Sequence, residues 1–120
     1  MNFFLFKKTC PAFFLAVMVL SLNFSPARAA SGPSLRIEVA IRHHHFETNV
    51  SMVPKGQPLL FRVTNFGKSM EEFESYDMAF EVVVRPGQTV EIPVSGLGPG
   101  TYEYFGDFHP RTARGTITVK

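Results

Sequence analysis

Apolar residues recur at every second position in short runs along most of this chain, and that period decides the fold class. Leu35, Ile37, Val39 and Ile41 alternate with Arg36, Glu38, Ala40 and Arg42, while Val90, Ile92 and Val94 alternate with Thr89, Glu91 and Pro93. Phe80, Val82 and Val84, then Phe61 with Val63, then Ile117 with Val119, repeat the pattern. Successive side chains of a strand point to opposite faces, so each run describes a strand with one buried face. Turn residues separate the runs, at Pro54-Lys55-Gly56, Asn65-Phe66-Gly67, Arg85-Pro86-Gly87-Gln88 and Gly96-Leu97-Gly98-Pro99-Gly100. About six to eight short strands punctuated in this way predict an all-β domain, a sandwich or small barrel. No repeat, low-complexity tract or linker interrupts residues 30–120, which read as a single domain.

Two stretches break the period. Ser69 to Met78 lacks alternation, and Ser69 followed three residues later by Glu72 fits a helix-start signature, so a short helical turn or loop is expected near 69–78. The other break is at His43-His44-His45. If Ile41 points inward, strict alternation carries His43 and His45 inward and leaves Phe46 in water, so a bulge or strand break is expected within Arg42 to His45. Such a break frees imidazoles to turn toward a site; the plainer alternative is exposed polar residues at a strand end.

Residues 1–29 read as a cleaved signal peptide. Lys7 and Lys8 precede an apolar run from Pro11 to Leu22, and Ala27-Arg28-Ala29 offers small residues where a signal peptidase cuts. A retained anchor needs about 20 apolar residues, and Asn23, Ser25, Pro26 and Arg28 end the stretch too soon. The mature chain is therefore expected to be exported. Export removes Lys7, Lys8 and Arg28, leaving nine basic against ten acidic residues, so the formal charge of +2 turns to −1. The apparent basicity belongs to the signal, and a nucleic-acid surface is not expected. The chain's one cysteine, Cys10, leaves with it. Without a thiolate or a disulfide, the mature domain depends on its core and can bind metal only through oxygen, nitrogen or thioether donors.

Two constellations carry such donors. Asp107 and His109 stand two residues apart in Tyr104-Phe105-Gly106-Asp107-Phe108-His109-Pro110, just before the last strand. Glu71-Glu72-Phe73-Glu74-Ser75-Tyr76-Asp77 packs four acids into seven residues. Clustered carboxylates repel unless solvated or neutralised by a cation. Phe73 would pin this segment to the core and fix Glu72 and Glu74. Met52, Met70 and Met78 offer thioethers, although an isolated methionine is more often core. Neither a nucleophile motif nor a phosphate loop is present.

The order of EEFES, RPGQT, LGPGTYEYFGDFHP and TARGTITV resembles the cupredoxin-like proteins that accompany bacterial high-affinity iron permeases. The likeness covers Leu35 to Lys120. It implies a Greek-key cupredoxin-like β-sandwich at 30–120, working with a periplasmic metal-binding partner protein, an inner-membrane iron permease and a ferredoxin-like membrane protein. More distantly, Glu72-Phe73-Glu74 is similar to a metal-binding triplet in the cupredoxin domain of EfeO-type iron-uptake proteins. Those domains carry two cysteines where this chain has Phe46 and Phe105, which argues against thiolate copper.

The resemblance implies that the metal residues are Glu72, Glu74, Asp107, His109 and His44, gathered by loops at one end of the sandwich. Carboxylates with one or two imidazoles suit iron or Cu(II) ions better than Cu(I). The expected function is binding of ferrous iron and help with its oxidation or delivery to the permease, as a ferroxidase component acting with a partner. The alternative is a non-catalytic copper or iron chaperone or adaptor; a plain immunoglobulin-like structural domain is a third possibility. If the protein is a homodimer, its metal loops are where two copies would meet.

Overall fold

The computed structural model describes residues 34–120; the signal peptide expected at 1–29 lies outside them. Nine strands follow one another: β1 (Leu35–Arg42), β2 (His45–Thr48), β3 (Met52–Val53), β4 (Leu59–Asn65), β5 (Glu71–Ser75), β6 (Phe80–Val84), β7 (Thr89–Val94), β8 (Gly100–Gly106) and β9 (Arg114–Val119). They form two mixed sheets, β2-β1-β4-β7 and β3-β9-β8-β5-β6. Pairings β1–β4 and β3–β9 are parallel and the others antiparallel.

The inward faces of the two sheets make one core. Ile37, Val39 and Ile41 of β1 join Leu59, Phe61 and Val63 of β4, and meet Phe73, Val84, Tyr104, Ile117 and Val119 from the other sheet. Each large apolar side chain so buried contributes about 1.5–3 kcal/mol, which explains how a domain without a disulfide holds together. At the centre, Phe73 lies 5.3 Å from Phe46 and Tyr104 and 5.2 Å from Phe80, ring centre to ring centre. Tyr104 is cross-strand from Gly115, where an added Cβ would stand 2.3 Å from its ring. Its hydroxyl is buried with no partner at bonding geometry. Burial raises the Tyr104 pKa, and Thr48 partly offsets this.

The helical turn or loop expected over Ser69–Met78 is corrected here. Residues Glu71–Ser75 are a regular strand with alternating burial, paired to both β6 and β8, and no helix occurs among the described residues. The alternation is real but chemically disguised, because the inward set is Glu71, Phe73 and Ser75. Two of those three are polar, and each is satisfied inside. Ser75 Oγ donates to the Glu103 carbonyl at 2.5 Å and accepts from Met78 N at 3.1 Å. Glu71 is buried against an imidazole, as described below.

Candidate metal centre

The expected break after β1 is a two-residue hairpin turn. Arg42 pairs with His45 and Ile41 with Phe46, leaving His43 and His44 as the turn, with φ of 50° and 62°. Two left-handed residues in succession suit a primed hairpin turn, which ordinarily takes Asn-Gly or Gly-Gly. Two histidines there accept a less favourable backbone and project imidazoles from the end of the sandwich. Turning the chain at this point also restores Phe46 to the core side, packed against Phe73 and Tyr104.

His109 comes from the loop between β8 and β9. Gly106 N donates to Ala113 O at 2.8 Å, His109 N to Gly106 O at 3.0 Å and Ala113 N to His109 O at 2.9 Å, so the loop is closed on itself. The His109 ring stacks on His44 with centroids 3.7 Å apart. Its Nδ1 lies 2.5 Å from Glu71 Oε2. Glu71 Oε1 accepts from Glu72 N and Phe108 N, both at 3.1 Å, and the side chain is 1 % exposed. His44, Glu71 and His109 thus form the metal-capable group, with donor atoms within 4.8 Å of one another.

The geometry separates the roles of the three. Two donors on one ion at about 2.0–2.2 Å each stand roughly 2.9 Å apart or more, so a 2.5 Å separation fits a hydrogen bond better than joint ligation. A carboxylate accepts, so the proton is on His109 Nδ1 and the lone pair on Nε2. Glu71 therefore fixes the tautomer and direction of His109, as carboxylates do behind metal-bound histidines. Gly106 makes room for this carboxylate: an added Cβ would meet Glu71 Cδ at 2.6 Å and Ala113 Cβ at 2.7 Å.

Of the residues singled out in the sequence, His44 and His109 come together here, joined by Glu71. Glu72, Glu74 and Asp107 gather elsewhere, beyond the other face of β5. Glu72 and Glu74 alternate with the buried Glu71, Phe73 and Ser75, and Glu74 stands opposite Glu81 of β6. Asp107 is anchored by its backbone N to Glu72 O at 3.0 Å. These carboxylates perturb one another. Glu72 is raised to about 7, first by its hydrogen bond to Glu81, then by burial and the charges of Glu81, Asp107 and Glu74. Burial, Glu81 and Asp107 raise Glu74 as well. Tyr76 is raised chiefly by Glu74.

A raised carboxyl pKa means that the folded state holds the proton more tightly than the unfolded chain. The contribution is complete below the ordinary glutamate value of 4.5 and is lost as pH climbs through about 7. The Glu81→Gln variant should therefore lose less thermal stability than the parent between about pH 5 and about pH 8. Equal losses in the two proteins would show that Glu81 is not the cause.

The fold and this end of it can be set beside known proteins. A family model described as a cupredoxin-like domain matches residues 12–119. The chain belongs to this cupredoxin-like family. It is 37 % identical over 106 residues to the uncharacterized protein RP394 of Rickettsia prowazekii, covering 88 % of this chain and 85 % of that one. Among solved structures it resembles the periplasmic domain of subunit II of cytochrome oxidase from Bradyrhizobium japonicum, with a TM-score of 0.62 and 12 % identity over 74 % of this chain and 86 % of that one. It also resembles auracyanin A, a "blue" copper protein from Chloroflexus aurantiacus, with a TM-score of 0.56 and 14 % identity over 73 % of this chain and all of that one. At such identities the likeness is one of fold, and the cupredoxin-like fold is typical of copper-binding proteins. Among the described residues, no helix is long and apolar enough to cross a membrane.

The donor set decides which copper chemistry fits. A blue copper centre takes a cysteine thiolate with two histidines, and Cys10, the one cysteine, lies outside residues 34–120. Two imidazoles backed by a carboxylate fit Cu(II), Fe(II) or another borderline divalent ion. The resemblance implies metal roles for Glu72 and Glu74 and none for Glu71. Parity with Phe73 was the available signal: a strand that buries Phe73 also buries Glu71.

Proposed function

We propose that this protein is an exported, periplasmic metal-binding component of a ferrous-iron uptake system. In this reading a copper ion is held by His44 and His109, with Glu71 setting the His109 tautomer. Ferrous iron is the cargo, received by the carboxylates of Glu72, Glu74 and Asp107 and passed toward an inner-membrane permease. The observation that carries the metal reading is the buried Glu71 carboxylate 2.5 Å from His109 Nδ1, with a His44 ring nitrogen in the same group; because the two rings stack, with their lone pairs side by side, sharing one ion requires the exposed His44 to turn. Clustered hard oxygens with no lysine or arginine paired to Glu72, Glu74 or Asp107 among the described residues support the cargo reading. So does the resemblance of Glu72-Phe73-Glu74 to the triplet of iron-uptake proteins.

The two regions are adjacent, because Glu71 and Glu72 are consecutive residues on opposite faces of β5. Bound Cu(II) would accept one electron from each ferrous ion and become Cu(I), the iron leaving as ferric iron; each further turnover would need an external one-electron acceptor to restore Cu(II). Oxygen-rich anionic donors favour Fe(III) over Fe(II), so the carboxylates assist that direction. Titrating the purified protein with Cu(II) and with anaerobic Fe(II) tests the assignment. Glu72→Gln with Glu74→Gln and Asp107→Asn should weaken iron binding at least about tenfold and leave copper binding intact. His44→Ala with His109→Ala should do the reverse. Iron binding that ignores the triple substitution would overturn the cargo reading, and binding of both metals without faster iron oxidation would favour a chaperone.

A further inference from the structure

The two-histidine centre does not stand alone at its end of the sandwich. An open cavity of about 640 Å³ lies between the His43–His44 turn and the loop joining β4 to β5, and His44, Glu71 and His109 all line it. That loop is held in shape by Asn65, which is fully buried at the end of β4. The Asn65 side-chain nitrogen donates to Ser69 O at 2.8 Å and Val84 O at 2.9 Å, and its oxygen accepts from Gly67 N at 2.8 Å. The wall opposite the imidazoles is therefore built rather than loose.

Its charge is one-sided. Arg42 and Lys68 line the cavity, and Glu71 is its one carboxylate, already committed to two backbone N–H groups and His109. Arg42 is steadied by its stack on Phe66, 4.0 Å from guanidinium carbon to ring centre, and by Glu47 at 3.5 Å. Lys68 has no ion pair among the described residues. Ser69 adds a hydroxyl, and Ile41 and Phe66 give an apolar floor.

A divalent ion on two imidazoles keeps open coordination positions. Here those positions belong to a cation facing a cavity that already carries two more positive groups. We infer that the cavity binds a small dicarboxylate or related multidentate oxyanion, one group completing the coordination of the metal on His44 and His109 and the other held by Lys68 and Arg42. The volume lies within the ordinary range for small-molecule sites, about 300–1,000 Å³. The protein would on this account take up its metal together with, or from, an anionic chelate. The inference rests on the metal reading above.

Malonate is a suitable probe, with acetate as the single-carboxylate control. In copper-loaded protein, malonate should change the copper EPR spectrum saturably and bind at least about tenfold tighter than acetate, since the second carboxylate gains its own charge-assisted contacts. Lys68→Glu should weaken malonate at least about tenfold while copper affinity stays within about twofold; Arg42→Gln should weaken it less, because Arg42 already has a partner. Equal malonate binding in parent and Lys68→Glu protein, or no preference over acetate, would overturn the inference and leave the metal site standing. Copper binding that survives His44→Ala with His109→Ala would overturn both.

Discussion

Replacing Glu71 by glutamine is expected to lower metal affinity by about 10- to 100-fold while the domain stays folded. Glutamine keeps the shape and the oxygen that Glu72 N and Phe108 N require. Its NH2 group must then occupy the place of Oε2, facing His109 Nδ1, and NH2 can only donate. His109 Nδ1 becomes the acceptor, the proton moves to Nε2, and the atom meant for the metal loses its lone pair. The imidazole nitrogen shifts of His109 in NMR spectra report this directly: Nδ1–H in the parent and Nε2–H in the variant. An unchanged tautomer with unchanged affinity would remove Glu71 from the account.

Gly106→Ala acts on the same carboxylate from the other side. A methyl group there would sit 2.6 Å from Glu71 Cδ, 2.7 Å from Glu71 Oε1 and 2.7 Å from Ala113 Cβ. Neither neighbour can give way cheaply. The carboxylate is tied by three contacts, and Ala113 is fully buried in the closed loop that carries His109. Overpacking of this kind costs roughly 1–3 kcal/mol, and each kcal/mol lowers the melting temperature of so small a domain by about 4–8 °C. Metal affinity should fall along with stability, since His109 loses its fixed orientation. Thermal unfolding and copper titration of one preparation check both effects; a variant that melts and binds like the parent would show that the space beside Glu71 is not needed.

Most of the sheet architecture was legible in the sequence because the inward faces of β1, β4, β6, β7 and β9 are carried by aliphatic and aromatic residues at every second position. The short β2 and β3 and the strand β5 were not. β5 buries a glutamate and a serine beside its single phenylalanine, so hydrophobic period could not mark it. The same polar disguise hides Glu71, since a segment expected to be a short helical turn or loop has no strand parity to place Glu71 on the inward face with Phe73. A break at the histidines was legible for the opposite reason: the parity of Ile41 and Phe46 calls for a bulge or strand break within Arg42 to His45, and the structure makes it a hairpin turn at His43 and His44. Asp107 and His109, neighbours in a loop, could not be assigned to faces by parity. Tertiary contacts settle their directions, the Asp107 backbone being tied to β5 and the His109 ring being held by Glu71.

Placing the metal is the most direct test of the central claim that an imidazole pair, one ring of it positioned by a buried carboxylate, replaces the thiolate centre of blue copper proteins. Copper-soaked crystals, read by anomalous scattering, should show an ion bonded to His44 and to His109 Nε2 at the mouth of the cavity, with Glu71 still hydrogen-bonded to His109 Nδ1. Copper found solely on the carboxylates of Glu72, Glu74 and Asp107, with both imidazoles vacant, would contradict it.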